Sequence, residues 1–256
     1  MSASDGLPLS GRTALVTGSS RNLGAAIAAE LAQRGARVVV TYREHLADAQ
    51  QVLDSLPAVA RGKHLLIGAD LTTLQGAEAL AAEAVQLTGG LGIVVNNAGP
   101  FDMDPFLKLE LSRFDEVWTA NVGAVVAIVR TVAPVMRVAG HGRIVNISAG
   151  SAYVRNHAVY TLAKSALITL TEQLALELGP EITVNAVAPG QIAESADEIS
   201  SIDPTFVERC IAATPLGELV TRAQVATLVA SMCGHEFDQV TGVTIPIDGG
   251  WRLPRF

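Results

Sequence analysis

Seven short runs of β-branched and aliphatic residues recur along the chain: TALVT (13–17), RVVVT (37–41), HLLIG (64–68), GIVVN (92–96), RIVNIS (143–148), TVNAVA (183–188) and VTIPI (243–247). They are nearly unbroken apolar runs rather than polar/apolar alternations, the pattern of strands buried on both faces, as in a parallel sheet. Longer Ala/Leu-rich segments between them predict helices over 23–34, 45–55, 75–88, 112–139, 159–178 and 222–233. This alternation predicts right-handed βαβ units: a doubly wound α/β fold with one parallel sheet of about seven strands and helices on both faces. No Pro/Gly-rich linker divides the chain, so residues 1–256 read as a single domain. The stretch 191–215, QIAESADEISSIDPTFVERCIAATP, is polar and breaks the rhythm between the sixth and seventh strands. An insertion at that place in a doubly wound sheet overhangs the ligand crevice.

Composition narrows the picture further. Apolar residues make up 49% of the 256 positions and charged residues 17%, enough for a large core; aromatics are only 4%, so Ala, Val, Leu and Ile must build it. The net charge of −7 argues against nucleic-acid or polybasic membrane binding, both of which need clustered Lys and Arg. Cys210 and Cys233 have no metal or redox spacing and read as buried thiols of a reducing cytosol. His45, His64, His141, His157 and His235 are scattered, so no metal is expected. The N-terminus has no basic region followed by an apolar run, and no stretch of about 18 apolar residues occurs, so neither a signal peptide nor a membrane span is expected and the cytoplasm is the expected location.

The chemistry sits at strand ends. After the first strand comes TGSSRNLG (17–24), leading directly into a helix. Glycines there let the backbone turn tightly around a pyrophosphate, which then lies on the helix N-terminus. Asn22 stands between Gly18 and Gly24, and Asn is the non-glycine residue that best tolerates a left-handed backbone. Asp70-Leu71 follows the third strand and NNAG (96–99) the fourth. Tyr160 and Lys164 are four apart on a predicted helix, hence on one face. A nearby ammonium favours phenolate and lowers a tyrosine pKa, which suits proton exchange with a carbonyl oxygen.

These motifs, in this order, resemble the short-chain dehydrogenase/reductase family, in the style of its 3-oxoacyl-carrier-protein-reductase-like members, over about residues 9–252. The resemblance implies a Rossmann fold and hydride transfer between a nicotinamide dinucleotide and a carbonyl or alcohol carbon of a small molecule. It implies cofactor contacts from Gly18, Ser20, Arg21, Asn22, Leu23 and Gly24, from Tyr42 and Arg43, from Asp70 and Leu71 at the adenine, and from Asn97, Ala98 and Gly99. It makes Tyr160 the acid/base, Lys164 its tuner and the ribose anchor, and Asn121 the holder of a relay water. The loop after the sixth strand, with Pro189, Gly190 and Ile192, should face the nicotinamide carboxamide; Glu194 precedes Ser195 there and leaves the usual hydroxyl contact open. The second strand ends without Asp or Glu, and Glu44 comes one position late, while Arg21 and Arg43 suit a 2′-phosphate, so NADP(H) is favoured over NAD(H). TGVTIPIDGG (241–250) matches the family's last strand and its following turn. A homotetramer paired through long helices is the common family assembly, and the apolar VGAVVAIV (122–129) is compatible with it.

One position departs from the family pattern. The fifth strand should end in two serines, the second orienting the substrate carbonyl. Here that second position is Ala149, and the loop to Tyr160 is shorter than usual. Three readings stay open: Ser148 shifts into the role, Ser151 reaches in from the loop, or no serine acts. Ser148 is the first choice, although alternation along a strand requires a local twist for it to serve. Ala149 also keeps open a dinucleotide-binding protein with little redox activity that acts as a regulator or subunit. Asp102 and Asp104 are weak candidates for acid/base work. Trp251 and Arg252 either close a neighbour's pocket or pack on their own chain.

Overall fold

A computed structural model describes residues 6–59, 62–154, 158–196 and 205–253. His157 and the 197–204 part of the polar insertion lie outside the described residues. Seven strands form one sheet: β1 (Thr13–Val16), β2 (Arg37–Tyr42), β3 (Leu65–Gly68), β4 (Ile93–Asn96), β5 (Gly142–Ile147), β6 (Ile182–Pro189) and β7 (Thr244–Ile247). Their order is 3-2-1-4-5-6-7, and every pairing is parallel. The order reverses between β1 and β4. A ligand crevice therefore opens at the carboxyl ends of those two strands. The unbroken apolar runs are explained by burial: β4, β5 and β6 are buried at every position.

Helices cover both faces. α1 (Asn22–Gln33), α2 (Leu46–Ser55) and α8 (Arg222–Met232) share one apolar cluster with Val16, Val38, Val40 and Val95. α3 (Leu74–Thr88), α5 (Ala124–Ala139) and α6 (Val159–Leu178) share the other, with Leu15, Val39, Val94 and Val184. Consecutive strand residues thus feed opposite clusters, as the pleat requires. Helix starts are set locally. Thr73 accepts from the Gly76 amide at the head of α3, and Thr221 with Gln224 forms a reciprocal capping box at the head of α8.

Two features differ from the sequence expectation. The segment read as one helix over 112–139 is α4 (Leu111–Trp118), a π-turn (Thr119–Gly123) and α5. It is long and apolar enough to cross a bilayer, but half of it is buried inside this fold, as core helices are. The polar insertion contains a further helix, α7 (Phe206–Ala213), which buries only Cys210. Cys210 and Cys233 are both free and buried, and burial pushes the Cys233 thiol up to about 12.

Candidate active site

The turn after β1 is strapped to its neighbours by side chains. The Thr17 hydroxyl accepts from the Asn97 and Ala98 amides at 2.9 and 3.0 Å. The Asn97 side-chain amide donates back to the carbonyls of Thr17 (3.0 Å) and Gly18 (3.2 Å). The Thr41 hydroxyl of β2 accepts from the Gly18 amide at 2.9 Å. Gly18 and Asn22 both take left-handed backbone, with φ +63° and +53°. Asn22 is the only non-glycine residue with positive φ among the described residues, in agreement with the tolerance expected of Asn. Gly24 packs against the Gly18 carbonyl so closely that a methyl group there would overlap it.

These restraints hold open a crevice of about 400 Å³. Its walls include Gly18, Ser20, Arg21, Asn22, Leu23 and Gly24 from the turn, Tyr42 and Arg43 from the end of β2, Leu71, and Asn97, Ala98 and Gly99 after β4. A glycine turn opening onto the N-terminus of α1 fits a pyrophosphate, so the residues present suit a dinucleotide. The Asp70 carboxylate accepts from the amide and hydroxyl of Thr72, itself on the crevice wall, and these bonds hold its pKa below the ordinary value. Gly190 donates to the Ile247 carbonyl, and Ile192 bridges to Val220 in parallel fashion, so the segment after Pro189 is tied along the same sheet edge. Glu194 accepts from the Arg222 amide at 3.1 Å, which places a carboxylate at the head of α8.

Next along this edge lie the groups that could move a proton. Tyr160 and Lys164 are on the first turns of α6, and the Lys164 ammonium lies 5.4 Å from the centre of the Tyr160 ring. Lys164 is buried and donates to the Ile147 carbonyl at 2.8 Å. Burial pushes the Tyr160 phenol up to about 12 and the Lys164 ammonium down to about 7. Asn121 sits in the π-turn, its amide donating to the carbonyls of Val117 (2.9 Å) and Pro100 (3.1 Å). Its buried Oδ1 has no hydrogen-bond partner among the described residues and presses on Gly99, where a methyl would overlap it.

The serines separate. The Ser148 hydroxyl donates to the Lys164 carbonyl at 2.8 Å, and the residue is 2% exposed. The expectation that Ser148 turns to a substrate carbonyl does not match this geometry: its proton is engaged in fixing the end of β5 to α6. Ala149 is extended and offers no hydroxyl. Ser151 lies in the 3₁₀ turn Gly150–Tyr153, and its buried hydroxyl has no partner among the described residues.

Comparison with known proteins agrees with this geometry. A family profile described as Enoyl-(Acyl carrier protein) reductase matches residues 18–252. The chain is 34% identical to L-xylulose reductase of Mesocricetus auratus, covering 96% of this chain and 99% of that one. It is 32% identical to the hydroxynaphthalene reductase arp2 of Aspergillus fumigatus, covering 92% and 90%. This chain belongs to the short-chain dehydrogenase/reductase family. Among solved members, a 7α-hydroxysteroid dehydrogenase complexed with NADH and a 7-oxo bile acid superposes with TM-score 0.88 at 30% identity, covering 98% of both chains. RhlG of Pseudomonas aeruginosa, in an NADP complex, gives 0.85 at 32%, covering 96% and 98%. The protein is therefore an oxidoreductase that transfers hydride between a nicotinamide dinucleotide and a small molecule.

Several residues of this dehydrogenase/reductase site were not singled out from sequence. Thr41 braces the phosphate turn by accepting from the Gly18 amide, and Asn146 crosslinks the sheet to α6 by accepting from Asn96 (2.8 Å) and donating to Thr171 (2.9 Å). Phe101 packs edge-on to Tyr160 with ring centres 4.9 Å apart, and Arg113 holds Asp102 at 2.8 Å. Asp102 is thus an ion-pair partner rather than one of a carboxylate pair. Arg252 packs on its own chain, over the Tyr153 ring at 5.2 Å and 3.7 Å from Asp248.

The buried lysine predicts a pH effect on stability. Unfolded, Lys164 holds its proton up to its ordinary pKa of 10.5; folded, only to about 7. Between those values the unfolded chain binds more protons, so stability rises with pH and the deficit is fullest below pH 7. Lys164→Met removes this deficit. Its melting temperature should gain on the wild type most at pH 6, with the gain shrinking towards pH 10. Equal offsets at the two pH values in paired thermal melts would contradict this.

Proposed function

We propose that this protein reduces a small-molecule carbonyl with NADPH, with Tyr160 as the proton donor. The observation that carries this reading is the pairing of Tyr160 with Lys164, whose ammonium lies 5.4 Å from the ring centre, while burial raises the phenol's pKa so that it keeps its proton at neutral pH. When bound, the dinucleotide supplies the hydride to the carbonyl carbon. Tyr160 then gives its proton to the carbonyl oxygen. In its protonated form Lys164 has three N–H donors, of which Ile147 takes one; the others would serve the nicotinamide ribose, and the charge would support phenolate. Asn121, through its unpartnered Oδ1, holds the relay water that returns a proton to the pair. Pro189, Gly190 and Ile192, tied along the same sheet edge, would hold the carboxamide.

NADP(H) is preferred because Arg21 and Arg43 both stand on the crevice wall. Glu44, the carboxylate nearest the end of β2, is already paired with Arg43 at 2.9 Å. For the substrate oxygen, the second donor is Ser151, whose hydroxyl is buried and unpartnered, in place of Ser148. Exposed Leu162 and Leu176 on α6 and Val138 on α5 support association into a homotetramer, for which the solution mass is the test.

One experiment covers the site assignments: steady-state reduction with NADPH and NADH, for the wild type, Arg43→Ala, Ser148→Ala and Ser151→Ala. The wild type should favour NADPH, and Arg43→Ala should erase most of that preference. Ser151→Ala should lower kcat by about a hundredfold, the scale of one lost oxyanion donor. Ser148→Ala should leave kcat nearly intact and lower the melting temperature. An NADH preference, or the two serine variants with exchanged effects, would overturn these assignments.

A further inference from the structure

We infer that Phe101, locked in place by Arg113, selects carbonyl substrates that carry an apolar or aromatic group beside the reacting carbon. The inference rests on Tyr160 being the proton donor. Phe101 follows β4 by five residues and meets the Tyr160 ring edge to face, at an interplanar angle of 67°. Yet Phe101 remains 60% exposed. A large apolar ring that touches the reacting tyrosine and is otherwise uncovered is a wall awaiting a partner.

Unlike an ordinary loop, the backbone that carries this ring is held at three successive residues. The Pro100 carbonyl accepts from Asn121 at 3.1 Å. The Phe101 carbonyl accepts from Arg113 Nη2 at 3.0 Å. The Asp102 carboxylate accepts from Arg113 Nε at 2.8 Å and from the Asp104 amide at 2.9 Å. The third Arg113 nitrogen donates to Glu116 at 2.7 Å, one turn along α4, so the guanidinium clamps the loop to the helix. A planar guanidinium can hold several oxygens at once, and an ammonium cannot reproduce that geometry.

The Pro100 and Phe101 carbonyls and the Asp102 carboxylate, the acceptors on either side of the ring, are thus already engaged internally. A hydroxyl of a sugar-like substrate placed against Phe101 would leave water and find no partner there, which costs binding. An apolar or aryl group would lose nothing and would cover exposed ring. Met103 and Phe106 continue the exposed apolar surface on the same loop. Arg113 touches no reacting atom; it is a positioning residue that acts through Phe101.

The test compares kcat/KM for acetophenone and for hydroxyacetone in the wild type, Phe101→Ala, Phe101→Leu, Arg113→Gln and the Phe101→Ala/Arg113→Gln double variant. The wild type should prefer acetophenone by at least about tenfold, the discrimination a hydrophobic wall can provide. Phe101→Ala should bring the ratio near unity, and Phe101→Leu should keep most of it. Arg113→Gln should lower the ratio, and the double variant should fall no further than Phe101→Ala alone, since residues acting through one another do not add. A wild-type preference for hydroxyacetone, a ratio unmoved by Phe101→Ala, or additive effects in the double variant would overturn the inference. Should the wild type reduce neither ketone, calorimetric binding of the two to the NADP⁺ complex reads the same ratio. Tighter acetophenone binding that depends on Phe101 would then uphold the wall and count against the Tyr160 reading; binding of neither ketone would overturn the wall itself.

Discussion

Tyr160→Phe should lower carbonyl reduction by about a thousandfold while leaving dinucleotide affinity within a few-fold of the wild type, because general acid catalysis contributes on that scale. The variant keeps the ring, so the edge-on contact with Phe101 and the packing over Lys164 survive. Only the proton donor is lost. Burial raises the phenol towards a pKa of about 12, so the wild type holds this proton across neutral pH and the loss in the variant should appear at every pH from 6 to 9. Stopped-flow consumption of NADPH, with fluorescence titration of the dinucleotide on the same samples, separates the two quantities. Retained turnover in the variant would show that another group protonates the product.

Gly24→Val should abolish measurable dinucleotide binding, a loss of at least about a hundredfold, as expected when a cradle that must approach the pyrophosphate is displaced. A Cβ at this position would overlap the Gly18 carbonyl and lie 2.7 Å from the Asn97 side-chain nitrogen. Neither neighbour can yield alone. Asn97 is held by two hydrogen bonds to Thr17 and Gly18, and Gly18 is tied to Thr41. The turn must therefore move as a unit, away from the geometry that faces a phosphate. Overpacking of this kind also destabilises by about 1–3 kcal/mol, so the melting temperature should fall as well. A variant that binds NADPH normally would mean that the turn is not the phosphate cradle.

The fold was legible because its strands leave a strong signal. An apolar run such as GIVVN is explained by β4 being buried on both faces, and the turn residues after β1 and β4 mark where the crevice opens. Tyr160 and Lys164 could be placed on one helical face from spacing alone. Other parts left no such trace. The π-turn around Asn121 adds one residue to a turn within a segment of 29, a drift that apolar periodicity does not resolve. α7 was hidden because it is only eight residues long and sits inside a polar insertion, too short a window for periodicity to establish a helix. The direction of Ser148 depended on which carbonyl of α6 came within reach, a long-range fact. Arg113 is eleven residues from Asp102, and only the folded loop shows that it braces Phe101 against Tyr160.

Hydride should pass directly to the carbonyl carbon while Tyr160 supplies the proton. Single-turnover reduction of acetophenone with NADPH carrying deuterium at the transferred position tests it, with the alcohol analysed by mass spectrometry and NMR. One deuterium should appear on the carbinol carbon, the product should have a single configuration, and Tyr160→Phe should form none on the same timescale. Deuterium released to solvent, or product formed equally well by the Tyr160→Phe variant, would contradict it.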